Sequence, residues 1–344
     1  MRKSSIITLA TLLVFATVFA SSFIIGEGTA YGKAKYQIKI SHSEPVRSVI
    51  DRATQKIKAR VAARSRGEVE LLLFPAGQLG KTAETAEMMQ MGALQMAIGL
   101  GSPAHVSAVY TPLTVFDIPF LLPESLPVAL EIINGRAGET LSAGLKKKNM
   151  RALAYYIIGS KQYTCNHPIQ KPDDFKGLKI RVMASPILVE AFKSMGAIPV
   201  PIPFLETYTA LQLGTVVGQE NPIHTIEQMK FYEVQDYVIL SEHQPFVILV
   251  YTNDRWFEGL PENIQEILSV SFKEIAHWVL EESVADDQHS LEHIKKSGTK
   301  ILKVTPENRE AFRKALGPVR AKYIEMVGEE GRKILKVFDE ELSK

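Results

Sequence analysis

Arg181 is the residue whose type and setting most invite chemistry. It stands in Lys179-Ile180-Arg181-Val182, an alternating run with one cation between apolar neighbours. A guanidinium keeps its charge at any working pH and offers two parallel hydrogen bonds to one carboxylate. Inside an apolar strand it must meet an anion, because an unpaired buried charge is very costly. That anion is either internal, Glu206 or Glu220, or the carboxylate of a bound ligand. Further along, Gln219-Glu220-Asn221-Pro222 supplies an amide, Asn221, that can donate to and accept from one ligand, beside a carboxylate, Glu220. Phe204, just before Glu206, offers an apolar wall, and Gln219, Glu220 and Gln244 are weaker candidates.

These residues need elements to hold them. Residues 177–221 read as strand, helix, strand, helix, strand: 179–182, 186–195 stopped by Gly196, 198–201, 204–213 closed by Gly214, then 216–218 leading to Asn221. Pro222 biases Asn221 towards an extended backbone. Upstream, residues 36–40 alternate as a half-buried strand that delivers His42-Ser43-Glu44-Pro45 at its carboxyl end. Ligands of open α/β sheets lie beyond such ends, which places His42, Ser43 and Glu44 near any cleft. The alternative for this loop is a helix cap by Ser43 or Glu44 on a helix over 46–63. Residues 69–74 and 152–158 are further strands, the latter ending at Gly159-Ser160-Lys161-Gln162. A helix is expected over 125–148, strands over 237–241 and 246–250, and a helix capped by Asn253. Residues 261–296 read as one long helix, allowing for a kink, with a late strand at 300–304 and helices at 306–328 and 329–341.

Other chemistries are poorly served. Met96 to Ala104 presents an apolar strand followed by a G-x-G-x-x-A pattern. Against a dinucleotide fingerprint stand Pro103 inside the turn, its position as third strand, and the lack of an acidic residue about 20 positions on. The glycines read instead as a strand end where backbone passes close to a small ligand. No G-x-S-x-G elbow or H-E-x-x-H motif occurs. Cys165 near His167 is set aside as a thiol nucleophile, since neighbouring side chains on a strand diverge. His289 and His293, with Asp286 one turn earlier, form a metal-capable face. Their surroundings (Glu281-Glu282, Asp287, Lys295-Lys296) read as a solvated helix.

Composition sets the class. The chain has 344 residues, 46% of them apolar, and a single cysteine, so a core of ordinary burial must stabilise it without an internal disulfide. Residues 1–30 read as a secretory signal peptide: Arg2 and Lys3, an apolar run over 6–25, then Gly28-Thr29-Ala30 as a small-x-small cleavage site. The alternative is an uncleaved membrane anchor. Loss of the leader takes Arg2, Lys3 and Glu27 and moves the formal charge from +2 to +1, which argues against a nucleic-acid partner. The remainder is long enough for two domains.

Five motifs in register carry a resemblance. Gly177-Leu178-Lys179-Ile180-Arg181-Val182, Gly196-Ala197-Ile198-Pro199, Glu206-Thr207-Tyr208-Thr209-Ala210-Leu211-Gln212, Gly218-Gln219-Glu220-Asn221-Pro222 and Lys230-Phe231-Tyr232-Glu233 resemble the solute-binding subunits of tripartite ATP-independent periplasmic (TRAP) transporters, the C4-dicarboxylate-binding-protein-like family. Val217 departs from the family's usual aspartate. The resemblance implies a two-lobe periplasmic-binding-protein-like α/β fold with mixed sheets, a hinge, and a long helix spanning both lobes. Lobe I would comprise 31–158 plus about 251–275, and lobe II 159–250 plus about 276–344, with crossings near 158–161 and 245–250. It implies that Arg181 clamps a ligand carboxylate and that Asn221 and the His42 loop contact the ligand. Lys161 stands where the family commonly has an arginine; it keeps the charge and loses the planar fork. A solvated strand-end lysine is the alternative there. The expected protein is a monomeric periplasmic receptor and not an enzyme. It has no cofactor of its own, although Glu220 could serve a metal ion bridging protein and ligand. Its partners would be a small organic acid and the TRAP membrane permease subunits. A sensory receptor using the same cleft, or a secreted hydrolase or lyase on this scaffold, are the other classes.

Overall fold

The computed structural model describes residues 34–100 and 109–344; the expected leader and the expected glycine-rich strand end at 101–104 lie outside the described residues. The chain opens with β1 (Tyr36–Ser41), α1 (Val49–Arg64), β2 (Val69–Phe74), α2 (Thr82–Gln90) and β3 (Met96–Leu100). In β1, Ile38 and Ile40 are buried while Gln37 and Lys39 face solvent, as the alternation requires. Ser48, not Ser43 or Glu44, caps α1, accepting from the Asp51 N–H; Arg47, in the left-handed region at φ 70°, holds the turn that delays the helix.

After a 3-10 turn at Thr111–Asp117 come α3 (Leu126–Asn134) and α4 (Arg136–Lys146), two helices where the sequence suggested one. Gly135 is the joint, with φ −92° and ψ −147°, outside helical geometry. Next is β4 (Met150–Cys165), then the expected block: β5 (Lys179–Val182), α5 (Pro186–Ser194), β6 (Ile198–Pro201), a 3-10 turn at Phe204–Glu206, α6 (Thr207–Gln212) and β7 (Gly218–Asn221). Following α7 (Ile223–Gln228), β8 (Tyr237–Asn253) is one strand of 17 residues rather than two short ones. Asn253 caps α8 (Asp254–Glu258) as expected. The long helix is broken at Glu274 and Ile275 into α9 (Glu262–Lys273) and α10 (Ala276–Lys296). The chain ends with β9 (Lys300–Lys303), α11 (Pro306–Ala315), α12 (Pro318–Val327) and α13 (Glu329–Leu342).

The strands form a mixed sheet ordered β2-β1-β3-β8-β4-β7-β5-β6, with β9 alongside the start of β8. Its spine is the antiparallel pair of β4 and β8, the long strands shared by two lobes. One lobe builds on β2, β1 and β3, the other on β7, β5, β6 and β9. The spine is buried almost throughout, as a central ribbon covered on both faces must be. Its register slips between Ile157 and Ser160 and again between Lys161 and Tyr163, so the ribbon is bulged where it passes from one lobe to the other. Gly159, at φ +94°, and Glu242, at φ +46°, lie in these bulges.

Helix α10 packs on β4 and α7 and also on α1 and α3, tying the lobes together. The C-terminal helices divide: α12 lies on α5, whereas α13 packs on α3 and α4. Helices α12 and α13 also pack on each other and both touch the 3-10 turn at Thr111–Asp117.

Candidate ligand-binding site

The bulged crossing gathers the charged residues. Lys161 lies just past the first slip, opposite Gln244, and Glu220 pairs in register with Tyr163. Lys161 Nζ donates to Glu220 Oε1 at 2.7 Å, and His243 Nε2 stands 2.9 Å from Glu220 Oε2. Burial pushes the Glu220 carboxyl up, but Lys161 and His243 outweigh it and hold the group at about 2. Burial keeps His243 below the ordinary imidazole value, against the pull of Glu220. A neutral ring satisfies both neighbours when Nε2–H donates to Glu220 and Nδ1 accepts from Ser241 Oγ, 2.7 Å away. Tyr163 stacks on that ring, centroids 4.1 Å apart and planes 6° from parallel.

Arg181 occupies the middle of β5 and is 1% exposed. Its Nε–H donates to the Ile202 carbonyl at 3.0 Å; its two terminal nitrogens make no hydrogen bond among the described residues. Burial lowers the guanidinium to about 10, with Glu220 raising it in part, so it stays charged at neutral pH. Both internal partners open at the sequence level are otherwise engaged: Glu220 by Lys161, and Glu206 by Lys81 at 2.7 Å on the surface.

Alternation along β7 splits its polar residues between two faces. Glu220 points to Lys161, while Asn221 Nδ2 donates to Gln219 Oε1, and Gln219 Nε2 donates to Thr164 Oγ1 at 3.1 Å. Asn221 is thus buried beside the charged group but tied into a separate amide ladder. Phe204, half-buried, meets Phe231 edge-on at 6.4 Å within a small apolar cluster around Leu211 and Ile223.

His42 sits in the other lobe. Its Nε2 is 3.7 Å from Asp51 Oδ1, and both ring nitrogens lack a hydrogen-bond partner among the described residues. Burial lowers its ring to about 4, so it is neutral at pH 7. The same loop carries Glu44, buried and pushed up to about 7, with His224 of α7 pulling it back. His224 in turn holds Asp287 of α10 through its backbone N–H and Nδ1, at 2.8 and 2.6 Å. Asp287, chiefly, lifts the ring above its ordinary value against burial. At the rim, Lys81 meets Glu206, and a Cβ on Gly77 would stand 3.0 Å from Leu205 Cδ1, so the lobes touch across the mouth.

The structure thus brings Arg181, Lys161 and Glu220 together, sets Asn221 and Phe204 on the same lobe, and leaves His42 across the interface. Sequence reasoning missed His243, whose signal was the alternation of Ser241 and His243 just before Gln244-Pro245. The remaining motifs are structural here. Cys165 is fully buried with its thiol raised to about 11 by burial, Asp286 pairs with Arg52 at 3.0 Å, and His293 with Glu227 at 2.9 Å.

Residues 40–326 match the model of the family described as bacterial extracellular solute-binding protein, family 7 (DctP). The chain belongs to this family. It is 31% identical over 337 residues to the 2,3-diketo-L-gulonate-binding periplasmic protein YiaO of Escherichia coli K12, covering 97% of this chain and 98% of that one. Among solved structures it is similar to a TRAP periplasmic solute-binding protein from Desulfovibrio salexigens with bound orotic acid: TM-score 0.87, 35% identity, 90% of this chain and 99% of that one. A second, from Shewanella oneidensis with bound succinate, has TM-score 0.83 and 28% identity over 90% of this chain and 99% of that one. The family is one of binding proteins, and the two-lobe α/β architecture inferred from the five motifs is the architecture found.

Proposed function

We propose that this chain is the solute receptor of a TRAP-type transporter, capturing a small organic carboxylate between its lobes outside the inner membrane. The observation that carries the reading is Arg181, a buried guanidinium with its terminal fork unspent. A carboxylate is the partner that fork fits, through two parallel charge-assisted hydrogen bonds. Lys161 adds positive charge, Asn221 and His42 border the ligand from the two lobes, and Phe204 lends an apolar wall. At 1% exposure, Arg181 is reached only when the lobes part, so binding and hinge closure are one process. Orotic acid and succinate in the two similar structures, and diketogulonate in the relative's name, are all carboxylates, which supports the class.

Residues 1–30 serve as the export signal in this reading, and the moving bodies are about 31–158 with 251–275 against 159–250 with about 276–344. The receptor acts as a monomer that docks on the permease subunits and catalyses nothing. A bridging metal ion fits poorly, because Glu220, the carboxylate it would use, already has an ammonium at 2.7 Å.

The test is a thermal-shift screen of the leaderless protein against an organic-acid panel, with Arg181→Ala alongside. A ligand at about a thousand times its Kd stabilises the native state by roughly 4 kcal/mol. One acid class should raise the wild-type midpoint, and folded Arg181→Ala should not respond. If no acid shifts the stripped wild type, the carboxylate reading is wrong.

A further inference from the structure

The bulge that carries His243 is held by side chains. Lys161 pairs with Gln244 and Tyr163 with Ile239, which leaves residues 240–243 without a partner on β4. Two side chains satisfy the backbone groups of Ser241 and Glu242 instead. Gln162 Oε1 accepts from both of their N–H groups, at 2.8 and 2.9 Å. From α11, Arg309 donates one terminal nitrogen to the Ser241 carbonyl and the other to the Glu242 carbonyl, the latter at 2.9 Å. Its Nε–H donates to Glu124 Oε1 at 2.8 Å, in the segment leading to α3, and its guanidinium stands 5.1 Å from the centre of the Phe120 ring. Both neighbours of that guanidinium, Glu242 at φ +46° and Phe120 at φ +59°, lie in the left-handed region that large side chains avoid. The Phe120 N–H donates to the His243 carbonyl at 2.9 Å. Such backbone persists where the surroundings fix it from several sides.

We propose that Arg309 is a positioning residue of the ligand site: by holding the bulge it aims the His243 ring at Glu220, and so keeps the Arg181 fork free for a ligand. This rests on the receptor reading above and adds a residue that acts through others. The two oxygens of Glu220 are answered by Lys161 Nζ and His243 Nε2. Glu220 already acts on the Arg181 guanidinium through space, and the Arg181 terminal nitrogens make no hydrogen bond among the described residues. A Glu220 oxygen deprived of His243 has that cation to turn to, and the fork would be spent internally. The ring itself is faced by Glu220 of β7, Lys161 and the stacked Tyr163 of β4, Ser241 Oγ and Arg309. Burial does most to keep it neutral, and the charges of Lys161 and Arg309 act in the same direction against Glu220.

The experiment is an NMR pH titration of the His243 ring in the leaderless, ligand-stripped protein, with its resonances assigned against His243→Gln. Wild type, Arg309→Gln and Arg309→Lys are compared, each checked for native circular dichroism. The ring should titrate at higher pH in Arg309→Gln than in wild type, and as in wild type in Arg309→Lys, which keeps the charge. Isothermal titration with D-galactonate, orotate and succinate gives the second readout. Whichever binds wild type should bind about tenfold weaker to Arg309→Gln, and about threefold weaker to Arg309→Lys, which loses the two-pronged donor. A His243 titration unmoved in folded Arg309→Gln overturns the proposal, as does wild-type affinity in either variant. If Arg309→Gln does not fold, Arg309→Lys decides: weaker binding with an unchanged ring titration supports the positioning role, and unchanged binding overturns it. Failure of all three acids to bind wild type speaks against the carboxylate reading alone, because the ring titration needs no ligand.

Discussion

Lys161 Nζ and Glu220 Oε1 stand 2.7 Å apart with their side chains 1% and 3% exposed, an ion pair sealed inside the crossing between two lobes. It converts what the family resemblance marks as a ligand-holding cation into a group already holding a carboxylate. The pair therefore has a stability role beside the recognition role proposed for Lys161, and these can be separated.

Removing one member leaves the other charge buried without its ion-pair partner. Lys161→Ala or Glu220→Ala should each destabilise the fold by about 3–5 kcal/mol. Removing both charges together, in Lys161→Met with Glu220→Gln, should cost far less than the sum of the two. Urea unfolding of the single and double variants measures this coupling; additive losses would mean the pair is not acting as a unit.

Glu44 and His42 titrate with opposite sign. Burial lifts Glu44 from 4.5 to about 7, so the folded state keeps a proton that the unfolded chain has released. Its contribution to stability therefore falls as pH rises from about 4.5 to about 7, by about 3 kcal/mol in all. Burial lowers His42 from 6.5 to about 4, so its contribution is complete above 6.5 and is lost as pH falls towards 4. Unfolding free energies over pH 4–7 should show wild type minus Glu44→Gln declining with pH, and wild type minus His42→Asn climbing. Parallel profiles would remove the burial argument for both groups.

Gly159 has no tolerance for a side chain. At φ +94° it lies where L-residues are strained, and a Cβ would fall 2.4 Å from Asp287 Oδ2. Gly159→Ala should lower stability by about 1–3 kcal/mol. It should also weaken ligand binding, because Asp287 holds His224 at the lobe interface. An unchanged thermal midpoint and affinity would show that the bulge relaxes freely.

The rim contact between Lys81 and Glu206 is a surface pair, their side chains 57% and 52% exposed. Glu206→Gln should weaken ligand binding about threefold or less, and the difference should disappear in high salt. A large, salt-independent loss would assign Glu206 to the ligand itself.

Much of the second lobe was legible because short elements there end in strong punctuation. Gly177, Gly196 and Gly214 all take positive φ, and the expected strands at 179–182 and 198–201 match β5 and β6. The spine was not legible for the same reason turned round. Gly159 and Pro245 look like strand ends, yet pairing between β4 and β8 carries both strands through them, Gly159 in a bulge and Pro245 in register with Ser160. His243 was lost with that misreading, since it lies in the stretch taken for a loop. Gly135 inside an otherwise helical run broke the helix expected over 125–148, which apolar periodicity alone could not show. Arg181 and Glu220 were visible as types, but that Lys161 rather than Arg181 would hold Glu220 depended on the register of three strands.

Strand β8 also governs the order in which the molecule can be assembled. It pairs with β3, β4 and β9, and it completes the sheet of both lobes. A chain synthesised from its amino end therefore reaches residue 253 before either lobe has its central partner. Until then the edges of β3 and β4 stand open, and the contacts that close them span long stretches of sequence, a topology that folds slowly. Neither lobe has a private route to its native state. Nascent or partly unfolded chains should expose both edges together and rely on protection from aggregation until the strand arrives.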